Sequence, residues 1–155
     1  MKKITLSLIA ATSALALAAC APSTMSTEAA GQKYLEIVCP GNTAMDAYVT
    51  AMLGSNLQMI HNSAQALKDE YAAEIEEFTA AENTWPDGVK ENVTVISDAN
   101  DAVIKALDEV LAAKTVEDAH VKLPEIPGVT EAVKSIRSEL GLSSDSKESC
   151  KSVTE

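Results

Sequence analysis

The stretch VKENVTVISDANDAVIKALDEV, residues 89–110, decides the fold class of this 155-residue chain. A stripe of mostly aliphatic residues advances through it by alternating steps of four and three positions. The stripe consists of Val89, Val93, Ile96, Asn100, Val103, Leu107 and Val110. These steps keep side chains on one face of an α-helix, so the stretch predicts a long helix packed against other helices. Asn100 interrupts the apolar stripe, and such a residue either fixes helix register or anchors a ligand.

Residues 43–82 predict a second long helix, because they contain no proline and a single glycine. Their apolar stripe also advances by three- and four-residue steps. It includes Met45, Tyr48, Met52, Met59 or Ile60, Ala64, Leu67, Tyr71, Ile75 and Phe78. The weak point is Gly54-Ser55-Asn56, where this helix either continues or breaks. The turn NTWPDG, residues 83–88, separates it from the helix that follows.

The two long helices are expected to form a hairpin, with a shorter helix before it and another after it in the chain. Residues 28–38 predict a helix that ends at CPGN, residues 39–42, because a proline disfavours helix at the residue before it. Residues 130–140 predict a last helix, and residues 143–155 a polar tail. With no strand pattern, the expected fold is an all-α antiparallel bundle over residues 28–142, built on a long helical hairpin with a shorter N-terminal and a shorter C-terminal helix.

The N-terminus has the features of an export signal. Two lysines precede about 16 uncharged, mostly apolar residues, which is typical of a signal peptide and short for a membrane span. Leu17-Ala18-Ala19-Cys20 resembles the lipobox of bacterial lipoproteins. That resemblance implies cleavage of residues 1–19, a diacylglyceryl group on the thiol of Cys20 and an acyl group on its new amine. Residues 20–27 would then form a flexible tether.

The three cysteines become interpretable once Cys20 is assigned to lipidation. Cys39 and Cys150 remain, and in an exported protein they are expected to form a disulfide. The alternative is two free thiols, which neither a Cys-x-x-Cys motif nor a histidine partner supports.

Little in the sequence indicates catalysis. We find no Gly-x-Ser-x-Gly, P-loop or dinucleotide fingerprint, and we expect no enzyme, metal or cofactor beyond the covalent lipid. A di-iron bundle needs two Glu-x-x-His motifs and two further glutamates, and the sequence has a single such motif, at Glu117 and His120. His61 is interpreted as a hydrogen-bonding residue of a long helix or a ligand contact. The acidic run over residues 69–77 is interpreted as a solvated helix face.

Three further segments are similar to small helical lipoproteins seen in actinobacteria. They are YLEIVCPGN (residues 34–42), WPDGV (residues 85–89) and SIRSELGL (residues 135–142), followed by a late cysteine. Those proteins are largely uncharacterised, so the resemblance implies a fold and a location but no catalytic residues.

The expected function is that of a non-catalytic lipoprotein of the cell envelope that binds a protein or another envelope component. The lipid would hold it on the outer face of the plasma membrane, or in the outer membrane of a two-membrane cell. A net charge of −11 argues against nucleic acid as a partner. Met45, Met52 and Met59, spaced by seven, are adaptable core residues or line a binding groove. The alternative is a bundle that binds a small apolar ligand through Asn100 or His61.

Overall fold

The computed structural model describes residues 23–154, with side chains as far as Lys151. The regular secondary structure of these residues consists of helices without a strand, which confirms the all-α antiparallel bundle. The helices are α1 (Thr27–Met52), α2 (Leu57–Thr79), α3 (Asp87–Ala112), α4 (Val116–Ala119), α5 (Val129–Glu139) and α6 (Ser146–Thr154). Helix α2 packs antiparallel to α1, α3 packs antiparallel to α2, and α5 packs on α3.

Each long helix buries a stripe with four- and three-residue spacing. In α1 the stripe is Ala30, Tyr34, Ile37, Gly41, Ala44, Tyr48 and Ala51. In α3 it includes Val89, Val93, Ile96, Asn100, Leu107 and Val110, as predicted. These residues contribute to two core clusters, one around Tyr34, Phe78 and Trp85 and one around Ile60, Leu67 and Leu107. The first cluster lies towards the α2–α3 turn and the second towards the α1–α2 turn.

The expected end of the first helix at CPGN is wrong, because α1 continues through Pro40. Pro40 is exposed, whereas its neighbours Cys39 and Gly41 are buried. A proline inside a helix costs about 3 kcal/mol through a lost hydrogen bond and a steric clash. Burial of one uninterrupted stripe on both sides of Pro40 offsets that cost, and local sequence signals do not report such tertiary packing.

The chain breaks instead at Leu53-Gly54-Ser55-Asn56, which settles the question left open for residues 43–82. Asn56 begins α2 as its N-cap, and its side chain accepts a hydrogen bond from the amide of Met59 at 3.2 Å. The expected two-helix hairpin is therefore a three-helix antiparallel unit.

The C-terminal tail is pinned at Cys150 as expected, but it also forms α6. The Cys39–Cys150 disulfide is confirmed, and it joins α6 to α1 across a sequence separation of 111 residues. Arg137 of α5 is buried and donates to Ser143 O at 2.6 Å and to Ser149 Oγ at 2.6 Å. These bonds fix residues 143–149 on the bundle.

The described part of the tether is also attached to the bundle. Met25 donates its amide to Thr84 O at 2.9 Å, and Thr84 Oγ1 donates to Ser23 O at 2.7 Å. The Met25 side chain packs against the first core cluster. Residues 23–26 are thus held against the α2–α3 turn, whereas the expected lipidation site, Cys20, lies outside the described residues. Within residues 23–154, no helix has the length and apolarity that crossing a membrane requires.

Candidate functional site

A polar layer crosses the middle of the bundle, where Glu74 of α2 meets Asn100 of α3. The amide Nδ2 of Asn100 donates to Glu74 Oε2 at 2.7 Å. Both residues are only 6% exposed, so this pair is enclosed by the core. The polar interruption that the sequence shows in α3 therefore has a matching interruption in α2.

Gly41 of α1 makes room for this layer. A Cβ atom at Gly41 would collide with the carboxyl group of Glu74 and lie 3.2 Å from Cε1 of Tyr71. The absence of a side chain lets the Glu74 carboxyl group approach the α1 backbone closely. This close approach explains a glycine in a helix interior, where it costs about 1 kcal/mol relative to alanine.

Burial shifts the proton equilibria of the layer. Loss of hydration raises the pKa of Glu74 to about 8; the hydrogen bond from Asn100 partly opposes this shift, and nearby Glu70 adds to it. Burial, with a smaller effect from Glu74, raises the pKa of Tyr71 to about 12. At neutral pH the buried carboxyl group is therefore mostly protonated, which reduces the cost of burying it.

The interpretation of the acidic run as a solvated face is wrong for Glu74. The buried stripe of α2 advances through Ile60, Ala64, Leu67, Tyr71, Glu74 and Phe78, with strict four- and three-residue steps. Ile75 is expected in this stripe because isoleucine is apolar, but it is only partly buried. Spacing alone, without regard to polarity, selects Glu74. Asp69, Glu76 and Glu77 are exposed as expected.

Asn100 also lines a cleft of about 560 Å³ between the bundle and the segment that leads into α5. Tyr71 and Val103 form part of its wall, and residues 124–131 form much of the remainder. The structure shows no hydrogen bond to Asn100 Oδ1, and this oxygen is not among the fully buried unpaired atoms of the described residues. Its amide oxygen is therefore an accessible acceptor in the cleft.

His61 lies apart from this cleft. It is partly buried on α2, and its Nε2 atom is enclosed without a hydrogen-bond partner among the described residues. His120 instead places Nε2 3.2 Å from the carbonyl oxygen of Met52. The structure thus does not bring His61 and Asn100 into one site.

A second candidate surface lies at the α1–α2 turn, and we call it the hairpin end. It consists of Val49, Leu53 and Met59, which are 51%, 87% and 58% exposed. A shallow groove of about 630 Å³ lies beside it, lined in part by Ala47, Ala51 and Met59. The three methionines spaced by seven do not form one surface, since Met45 and Met52 pack against the second core cluster.

Within residues 23–154, no group of three or more histidine, cysteine, aspartate or glutamate side chains is arranged to hold a metal ion. No protein-family model, curated protein or solved structure matches the chain.

Proposed function

We propose that this protein is a lipid-anchored module of the cell envelope that uses its hairpin end to bind a protein partner. The observation that carries the proposal is the exposure of Val49, Leu53 and Met59 at one end of the bundle, beside the α1–α2 turn. Large apolar residues that are exposed close together are a feature of protein interaction sites. The role is that of binding, without a catalytic step.

The lipobox at residues 17–20 supports the anchor, and the disulfide between Cys39 and Cys150 supports export. Disulfides persist in the oxidising compartments outside the cytoplasm. Two or more acyl chains on Cys20 give stable membrane attachment, whereas a single chain does not.

The attachment of residues 23–26 supports a defined orientation on the membrane. The chain between Cys20 and Ser23 can span about 10 Å at most. The α2–α3 turn, to which Ser23 and Met25 are bonded, would then lie next to the bilayer. Helix α1 has 26 residues, which corresponds to about 39 Å. The hairpin end would therefore face away from the membrane, accessible to a partner.

The anchor is tested by Cys20→Ser. We expect this variant to lose incorporation of labelled fatty acid and to leave the membrane fraction, because serine cannot accept the thioether-linked lipid. Membrane fractionation with radiolabelled palmitate is the measurement, and Ser23→Ala is the control. Undiminished labelling of Cys20→Ser would contradict lipidation at this residue.

The hairpin end is tested by Leu53→Glu, with Ala72→Glu as a matched control at another exposed position of the hairpin. An amine-reactive crosslinker applied to native membranes should give a specific adduct with the wild type. We expect Leu53→Glu to reduce the adduct by about fivefold or more, since a buried charge in an apolar contact costs over about 1 kcal/mol. Equal adduct from both variants would contradict binding through this end.

A further inference from the structure

The cleft beside Asn100 has the composition of a small-molecule site. Its walls include the ring of Tyr71 and the aliphatic side chains of Val103 and Ile126. Small-molecule sites combine such apolar walls with a few polar groups that fix the orientation of the ligand. Its volume of about 560 Å³ is within the range of about 300–1,000 Å³ that ligand pockets span.

The polar group of this cleft is a fixed hydrogen-bond acceptor. Asn100 is 6% exposed, and its nitrogen is occupied by Glu74 Oε2 at 2.7 Å. That bond orients the amide and leaves Oδ1 for a ligand on the cleft side. A carbonyl oxygen with no protein partner can accept a hydrogen bond from a ligand that enters the cleft.

The charged residues that line the cleft determine whether a cation or an anion is favoured there. Glu125 and Glu131 line the cleft, and none of the described residues that line it is basic. Lys122 forms an ion pair with Glu125 at 3.0 Å, whereas the described part of the chain shows no ion pair of Glu131. A cation in the cleft is therefore attracted by Glu131, and an anion is repelled.

We propose that this cleft binds a small organic ammonium ion with an apolar or aromatic body. The ammonium group donates to Asn100 Oδ1 in the field of Glu131. The body of the ligand lies against Tyr71 and the aliphatic wall. This proposal changes the expected apolar ligand to a cationic one, and it is independent of the lipid anchor and of the hairpin end.

Three probes of equal size and different charge test the proposal: benzylammonium, benzyl alcohol and benzoate. Each is titrated into the ¹⁵N-labelled, disulfide-bonded full chain in non-ionic detergent, and amide shifts are followed by NMR. We expect benzylammonium to shift the amides of Tyr71, Asn100 and Glu131. We also expect its affinity to exceed that of benzoate by about tenfold or more, which corresponds to about 1.4 kcal/mol.

Glu131→Gln tests the source of this selectivity without altering the core, because Glu131 is exposed at the start of α5. We expect it to weaken the binding of benzylammonium by about threefold to fivefold, which corresponds to about 0.6–1 kcal/mol for an exposed charge pair. Glu109→Gln, an exposed acid of α3 outside the cleft, should change the affinity by less than about twofold. Equal affinity for benzoate, equal effects of the two variants, shifts outside the cleft or the absence of shifts would each overturn the proposal.

Discussion

Replacing Glu74 with glutamine should make the protein markedly less sensitive to alkaline pH. The pKa of Glu74 is raised from 4.5 to about 8 in the folded protein, because burial disfavours its charged form. Below about pH 4.5 the carboxyl group is protonated in both states, and its full contribution to stability is present. As the pH rises to about 8, ionisation of Glu74 lowers the free energy of the unfolded chain, whereas the folded protein retains the proton.

Stability should therefore fall through this window by up to about 5 kcal/mol, because the free energy of unfolding changes by about 1.4 kcal/mol for each pH unit between the two pKa values. Glutamine is neutral at every pH and can still accept the hydrogen bond from Asn100. The charged side chains that share a groove with Glu74 are Lys33, Glu36, Glu70 and Glu77. They remain in place in the variant, so the difference between the two proteins isolates Glu74.

Urea unfolding at about pH 5 and about pH 8.5 measures this difference. The wild type should lose several kcal/mol more than Glu74→Gln between the two conditions. Glu76→Gln, an exposed acid on the same helix, is the matched control and should follow the wild type. Parallel behaviour of the wild type and Glu74→Gln would show that the carboxyl group is not enclosed as described.

Removing the disulfide should have an effect of similar size. Cys39 and Cys150 close a loop with a sequence separation of 111 residues, and releasing it adds about 4–5 kcal/mol of chain entropy to the unfolded state. The double variant Cys39→Ser/Cys150→Ser is therefore expected to unfold at a much lower urea concentration. Helix α6 should lose amide protection first, because the disulfide is its covalent link to α1. The hydrogen bond from Arg137 and the surface ion pair between Lys147 and Asp46 are weaker attachments.

Reduction of the wild type provides the control for this variant. It should give the same loss of stability without a change of sequence. A loss below about 1 kcal/mol in both cases would contradict the role assigned to the bond. Two alkylatable thiols in the protein before reduction would contradict the bond itself.

The long helices of this fold can be predicted from sequence because residues on the buried face of a helix recur at steps of three and four positions. Steps of four and three in residues 89–110 identify the buried face of α3, including Asn100. The disulfide is likewise predictable once Cys20 is assigned to the lipobox. Both inferences use only residue type and spacing, which can be read directly from the sequence.

The remaining features depend on contacts between distant residues. A proline ends most helices, yet α1 passes through Pro40 because the packing on both sides of it is continuous. Glu74 is charged in isolation, yet it belongs to the buried stripe because Asn100 and Gly41 accommodate it. Strict spacing identifies Glu74, but its partner and its protonation require the packed bundle. The cleft also depends on the path of residues 124–131, which no periodic pattern indicates.

Energy transfer measures the orientation of the bundle on the membrane directly. A donor dye is attached to Leu53→Cys at the hairpin end, or to Glu82→Cys at the α2–α3 turn, in lipidated protein reconstituted with acceptor-labelled lipid. We expect strong transfer from residue 82 and weak transfer from residue 53, since α1 separates the two ends by about 39 Å. Equal transfer from the two positions would contradict the proposed orientation.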